Sequence, residues 1–335
     1  MGQCNGRDSV VLQHVTHKPT EANGTNSGPL QQPETPDEDI PEHLELRDRF
    51  GNTLYFLNAG DVLLAPTTII PDARERLTEI KQLELRQDDV IIAGFMKSGN
   101  HWVQQIVRML LQGNTDYKPN TLSFEVFEYI PQHLMTPPDE PRAFFTHLRF
   151  HHLPTQVLEK KVKIIHLVRN PKDTFVSMFL HLSKMKGMMR YKGTWDQFFM
   201  TMLEFGVYHG DWFDHLLDWE QEIASHPKAP VMVLPYEDLL RDPLGHVQKV
   251  NAFLGADRSE DLCRAIVETC KLDTMKQKEE DLLRKLDVFT KDSPGIYRKG
   301  QIGDWKNWFT PAQNRIFDQV YTRRMAHSKR TFTFE

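Results

Sequence analysis

Lys97, Ser98, Gly99, Asn100 and His101 make a short polar turn between two apolar segments, and that set of groups at that place suits an anion. Residues 90–93 are wholly apolar and break at Gly94, while Trp102, Val103, Ile106, Val107, Leu110 and Leu111 recur at helical spacing up to Gly113. The pattern predicts strand, loop and helix. Such a joint aims unpaired backbone N–H groups and the positive helix end at one point, and Lys97 adds a full charge there. It is not a Walker A loop, because Met96 stands where that motif needs a glycine. An ordinary strand-helix connection with a solvated lysine is the competing reading of this stretch alone.

Three other groups have similar chemistry. Arg169-Asn170-Pro171-Lys172-Asp173 follows the strand-like residues 163–168, KIIHLV, with Asn suited to an N-cap, Pro to the first helical position and Asp to the first turn; Ser177 lies on an early turn of the same helix. A third apolar run, 231–234, leads into Tyr236-Glu237-Asp238. Near the C-terminus, Arg298 and Lys299 stand beside Gly300 and Gly303, where the backbone can approach a phosphate closely. His147 follows a short apolar run, 143–146, and has His151 and His152 nearby. No cysteine or carboxylate in that neighbourhood completes a ligand set, so no metal is predicted.

The elements that must position these groups alternate. Strands over 90–93, 143–146, 163–168 and 231–234 are separated by helical segments, among them 194–206 and 209–225, with 243–285 and 311–325 helical after the last strand. This predicts an α/β domain with a central, mostly parallel sheet flanked by helices on both faces and ligands at the carboxyl ends of the strands. A short hairpin over 47–60 precedes it. Residues 114–142 read as a proline-stiffened loop whose Phe124, Phe127, Tyr129 and Ile130 either line a pocket or form a satellite core.

With 335 residues, 39% apolar and 26% charged, the chain can bury a substantial core. Residues 1–45 differ, holding Arg7 and Lys18 against eight acids among Pro, Gly, Asn and Thr, and read as a flexible acidic tail before a domain over 46–335. The net charge is −5, with −6 in that tail and +1 in the remainder, so there is no global basic field for nucleic acid. Three cysteines make no disulfide framework, and no segment is apolar enough for a signal peptide or membrane span, which points to the cytoplasm. The Asn23-Gly24-Thr25 sequon is then incidental. Met1-Gly2-Gln3-Cys4 would suit acylation, although Gly6 stands where Ser or Thr is expected.

Taken together, Lys97 to Trp102, Arg169 with Ser177, Tyr236, and Arg298 to Gly300 resemble the cytosolic sulfotransferases. In that family a P-K-S-G-T-T-W loop binds the 5′-phosphosulfate of PAPS (3′-phosphoadenosine 5′-phosphosulfate), and Met96-Lys97-Ser98-Gly99-Asn100-His101-Trp102 matches it at Lys, Ser, Gly and Trp. The family's V-x-R-N-x-K-D…S element matches Val168 to Asp173 with Ser177, its first residue shifted by one, and R-K-G-x-x-G-D-W-K matches Arg298 to Lys306 throughout. Agreement at Gly193-Thr194-Trp195-Asp196, at Tyr236-Glu237-Asp238 and at Thr146-His147-Leu148 extends the resemblance over residues 85–325.

The resemblance implies a single-domain sulfotransferase with a P-loop-like phosphosulfate loop. Its reaction would move the sulfuryl group from PAPS to a hydroxyl or amine of a small, largely apolar acceptor and release 3′,5′-adenosine bisphosphate. By resemblance His147 is the base and Lys97 stabilises charge on the leaving oxygen, while Ser98, Gly99, Asn100 and His101 donate to the 5′-phosphate. Arg169, Ser177, Arg298, Lys299 and Gly300 would hold the 3′-phosphate, with Trp102 and Tyr236 bordering the adenine.

Several positions depart from the family pattern. Phe145 stands where the family has the lysine of K-T-H, Leu272 replaces an aromatic on the adenine, and Asn100 and His101 replace two threonines. The dimer motif K-x-x-x-T-V-x-x-x-E is met at Lys306 and Thr310 but broken by Pro311 and Arg315, so a homodimer is open rather than implied. Two readings compete with the enzyme: a nucleotide-binding protein without transfer activity, supported by Phe145, and a nucleoside kinase, opposed by the missing Walker glycine and by the late Arg-Lys-Gly loop.

Overall fold

A computed structural model describes residues 43–67, 70, 72–119, 126–130 and 142–335. The stretch 1–42, with the Met1–Cys4 sequence that would suit acylation, and Phe124, Pro131 and Leu134 of the proline-stiffened loop, lie outside the described residues. The predicted hairpin is the start of an antiparallel sheet of β1 (His43–Arg47), β2 (Thr53–Asn58) and β3 (Leu63–Leu64). Asp48 closes its turn by accepting from the backbone N–H groups of Phe50 and Asn52, both at 2.9 Å. His43 to Glu45, counted with the tail by composition, pair with Leu57 to Tyr55 in this sheet.

The second sheet is wholly parallel. It contains β4 (Val90–Gly94), β5 (Ala143–Thr146), β6 (Lys163–Val168) and β7 (Val231–Pro235) in the order β5-β4-β6-β7. Around it lie α1 (Ala73–Gln82), α2 (Asn100–Gln112), α3 (Gln156–Glu159), α4 (Pro171–Lys184), α5 (Trp195–Glu204), α6 (Trp212–Ser225), α7 (Tyr236–Arg241), α8 (Pro243–Leu254), α9 (Glu260–Thr269), α10 (Leu272–Leu286) and α11 (Pro311–Arg324). Every residue of β4 is buried, as its unbroken apolar sequence requires of a strand covered on both faces. Val90, Ile92 and Ile165 pack with Val103 and Ile106 of α2 on one side. Ile91, Ala93 and Ile164 pack with Leu77 and Ile80 of α1 and with Trp219 of α6 on the other.

Boundaries shift where a turn intervenes. Between α5 and α6, His209 and Gly210 take φ of 62° and 88°, and Asp211 caps α6 by accepting from Phe213 and Asp214, so that helix starts at Trp212 rather than near 209. The segment 243–285 is helical as expected and divides into three helices, the first stopped at Gly255 with φ 62°.

The strand order itself locates a crevice. From β4 the chain passes through α2 to β5 on one side, then crosses to β6 on the other, so the carboxyl end of β4 is a topological switch point. The strand ends are level there: Ala93 pairs with both Thr146 and His166, and Val168 pairs with Pro235. One residue past those ends stand His147, Arg169 and Tyr236, and the polar turn follows β4.

Candidate active site

The turn after β4 is bent to expose backbone. Lys97 has a φ of 65°, uncommon for a residue with a side chain, and Gly99 has a φ of 102° as the N-cap of α2, with no side-chain cap. A methyl group on Gly99 would lie 2.8 Å from the Tyr236 ring, so only glycine lets that ring close over the turn. Arg169 locks it from the side, donating from Nη1 to the Lys97 carbonyl at 2.7 Å while its guanidinium lies 4.3 Å from the Tyr236 ring centre. Trp102 meets Tyr236 edge to face at 5.8 Å.

Donors are left over in this region. The Ser98 hydroxyl, the Trp102 indole nitrogen and Nε of Arg169 and Arg298 are buried without a hydrogen-bond partner. Buried polar groups are normally satisfied, and several lone donors around two guanidinium groups fit an anionic ligand that supplies acceptors. Lys97 is half-buried beside them. Burial, followed by the charges of Arg169 and Arg298, pushes its ammonium down to about 7, and it donates to His181 Nδ1 at 3.3 Å and to the Ile296 carbonyl at 3.4 Å.

The late loop is docked by α4. Asn170 caps α4 by accepting from Asp173 N–H, and the Asp173 carboxylate accepts from Gly303 and Trp305 N–H at 2.7 and 2.9 Å. Lys172 lies 4.4 Å from the Trp305 ring. This pair of residues therefore holds the loop, which brings Arg298 and Lys299 to the crevice. Both cations share one carboxylate, Asp304, at 2.5 and 2.6 Å. Burial would raise that carboxyl, but the hydrogen bonds from Lys299, Asn307 and Arg298 prevail and hold it at about 2.

His147 is 8% exposed. Its Nδ1 lies 2.8 Å from the Gly94 carbonyl, which can only accept, and 3.4 Å from the Asn100 amide nitrogen, which donates. The shorter contact decides the tautomer: Nδ1 carries the hydrogen, and Nε2 keeps a lone pair. Burial, with a smaller push from Lys97, lowers the imidazole to about 4, so the ring is neutral at physiological pH. The His147 backbone N–H and the Thr146 hydroxyl both donate to Glu128, at 2.5 and 2.8 Å, which pins the end of β5.

A cavity of about 610 Å³ joins these groups. Lys97, Gly99, Asn100, His101, Trp102, Arg169, Ser177, Tyr236, Arg298, Lys299 and Gly300 line one part of it, together with His147. Ser98 is the exception among the anticipated residues: it is buried beneath the turn and does not line the cavity. Leu272 also borders this part, and a methyl group on Gly300 would lie 3.2 Å from it.

The comparison with known proteins accounts for this architecture. Residues 87–329 match the family model described as the sulfotransferase domain. The chain is 30% identical to human sulfotransferase 1C2 over 87% of its own length and 100% of that protein, and 32% identical to bovine sulfotransferase 1A1 over 78% and 91%.

The chain belongs to the sulfotransferase family.

Among solved structures, mouse sulfotransferase SULT7A1 complexed with PAP is 31% identical, with a TM-score of 0.65 over 80% of this chain and 94% of that one. Retinol dehydratase in a complex with retinol and PAP is 19% identical, with a TM-score of 0.67 over 90% and 97%, and shares the fold.

The rest of the sulfotransferase cavity has a different character. Pro66, Tyr129, Phe145, Met185, Met189, Val288 and Ile296 line it with few polar groups. Of the proline-stiffened loop, Tyr129 reaches the cavity, whereas Phe127 is fully buried in the core against Phe144 at 5.0 Å between ring centres, so that loop does both things expected of it. Phe145 packs edge-on to His101 and to His147, at 5.0 and 5.5 Å.

Sequence reasoning missed three participants. The Gly94 carbonyl sets the His147 tautomer, Glu128 anchors its backbone, and His181 receives Lys97. His181 was findable, since it lies four residues after Ser177 on α4 and therefore on the same face. Glu128, alone among apolar neighbours in an irregular segment, carried no pattern to read.

Proposed function

We propose that this PAPS-dependent sulfotransferase acts on a small, largely apolar alcohol, phenol or amine, with His147 as the base and Lys97 as the group that stabilises the leaving oxygen. The carrying observation is that an imidazole with a free Nε2 and a half-buried lysine ammonium line one cavity whose remaining wall is apolar. PAPS supplies an activated sulfuryl group on a phosphate that leaves as 3′,5′-adenosine bisphosphate. The acceptor must lose its proton as the new S–O or S–N bond forms, and His147 Nε2 takes it. Lys97 answers the negative charge that develops on the phosphate side.

The nucleotide-holding roles follow the same placement. For the 5′-phosphate, Gly99, Asn100 and His101 offer backbone N–H groups at the start of α2 and Ser98 offers its hydroxyl, its own N–H being donated to the Phe95 carbonyl at 3.2 Å, while Arg169, Ser177, Arg298, Lys299 and Gly300 take the 3′-phosphate. Trp102 and Tyr236 border the adenine. His181 holds the Lys97 ammonium before the acceptor enters, a role supported by their 3.3 Å contact. Residues 46–335 are the catalytic domain in this reading, and the chain works in the cytosol on its small-molecule acceptors. No described helix is long and apolar enough to cross a membrane.

Incubation with sulfur-labelled PAPS and a panel of phenols, alcohols, amines and charged acceptors tests the reading. Labelled product and stoichiometric 3′,5′-adenosine bisphosphate are expected with apolar acceptors. Bisphosphate release only with charged acceptors would remove the apolar assignment, and binding without any release would mark a nucleotide-binding protein.

A further inference from the structure

Away from the cavity, two imidazoles and a carboxylate converge. The turn between β2 and β3 presents Asp61, and a 3-10 turn, Phe150–His152, presents two adjacent histidines four and five residues after His147. His151 Nε2 lies 3.0 Å from Asp61 Oδ2, and His152 Nε2 lies 3.0 and 3.1 Å from its two oxygens. The His151 and His152 rings stand only 3.9 Å apart between centres, both aimed at one carboxylate. A tetrahedral ion with Zn–N bonds of about 2.0–2.1 Å sets its donors roughly 3.3 Å apart, close to the nitrogen-to-carboxylate distances found, and the donor atoms of all three residues lie within 4.8 Å of one another.

The partners behind these groups favour a cation. His151 Nδ1 faces Asp218 Oδ1 at 3.4 Å, and Asp218 is itself fixed by accepting from Phe150 N–H at 3.2 Å. With its hydrogen on Nε2, a neutral His151 would turn a lone pair on that carboxylate. A metal on Nε2 moves the hydrogen to Nδ1, where Asp218 accepts it, the carboxylate-histidine-metal arrangement of bound ions. The Lys81 ammonium, bonded to the His151 carbonyl, is a positive charge at the site against the carboxylates of Asp61 and Asp218. The side chains of Asp61 and His151 are 63% and 42% exposed, so water can complete the coordination, and His152 at 7% is held by packing.

We propose that Asp61, His151 and His152 bind a divalent ion of the zinc class, with Asp218 orienting His151, and that the ion clips the β2-β3 turn to the segment that follows His147. In sequence the two histidines lacked a carboxylate because the third ligand lies 90 residues before His151. No residue of this site belongs to the catalytic cavity.

The untagged full chain, freed of metal with a chelator, is titrated with Zn²⁺ by calorimetry and with Co²⁺ by visible absorption, beside Asp61→Asn and His151→Gln. One equivalent of Zn²⁺, an intense tetrahedral Co²⁺ band and a higher melting temperature with Zn²⁺ are expected for the unaltered chain. Each substitution should weaken binding by at least about tenfold and abolish the band, while metal-free turnover stays unchanged. No stoichiometric binding would overturn the proposal, leaving a hydrogen-bonded cluster only. Binding that persists unchanged in both variants would equally overturn it and place the ion on other histidines.

Discussion

The two parts of the cavity are built in different ways. The nucleotide part draws its residues from the turn after β4, from α4 and α7 just past β6 and β7, and from one loop clamped by Asp173. Its geometry is therefore set by a parallel sheet whose strand ends are level. The part proposed for the acceptor is lined by Pro66, Tyr129, Met185, Met189 and Val288, which come from separate segments and are mostly apolar. A scaffold that fixes charge rigidly on one side and leaves an adaptable apolar wall on the other can keep one donor while varying acceptors. Methionine on that wall suits the task, since its unbranched side chain adapts to irregular contents.

This contrast fails if charge on the nucleotide side does not govern chemistry. Lys97→Met should lower turnover by about 10² to 10³, the usual cost of removing a group that stabilises developing charge. The pH profile sharpens the point. The His147 imidazole titrates at about 4 and becomes a competent base as pH rises past that value; the Lys97 ammonium titrates at about 7 and loses its charge as pH rises past it. The kcat/KM of the unaltered enzyme should then rise through about 4 and fall through about 7. Lys97→Met should lack the basic limb. A profile still falling at about 7 in that variant would assign the limb to another group.

Next in size is the 3′-phosphate. Replacing Arg298 and Lys299 together by Ala should weaken PAPS by roughly tenfold to a hundredfold, in keeping with charge-assisted hydrogen bonds worth about 1.5–3 kcal/mol each, less what their shared pairing with Asp304 absorbs. The analogue lacking the 3′-phosphate should bind nearly as before, as read by calorimetry. Equal losses for both nucleotides would mean that the loop serves folding instead.

The smallest effect is expected where the parts meet. His181→Phe removes the acceptor of the Lys97 hydrogen bond, which favours the charged form, so the basic limb should move to lower pH and turnover fall several-fold. The acceptor KM should change while PAPS affinity holds. An unchanged pH profile would show that Lys97 does not depend on this contact.

The same division explains what the sequence revealed. Mostly apolar runs such as residues 90–94 and 163–168, each followed by a polar turn, made strands, sheet class and nucleotide groups legible, because motif residues there are neighbours in sequence. Asn170, Pro171 and Asp173 announced the start of α4 by capping chemistry alone. The acceptor wall was not legible, since Pro66 and Val288 meet only in the folded chain. Glu128 and Asp61 were missed for a related reason: a carboxylate becomes a partner of His147 or His152 through chain reversal, and no local period marks it.

The most direct test of the central assignment uses His147→Ala in paired assays of one preparation, calorimetry with 3′,5′-adenosine bisphosphate and transfer from labelled PAPS. The nucleotide contacts come from other segments, so affinity should stay within a small factor while turnover falls by about 10² to 10⁴, the range for a positioned general base. Turnover close to that of the unaltered enzyme would contradict the assignment, and so would affinity and melting temperature lost together with it, which would make His147 a core residue.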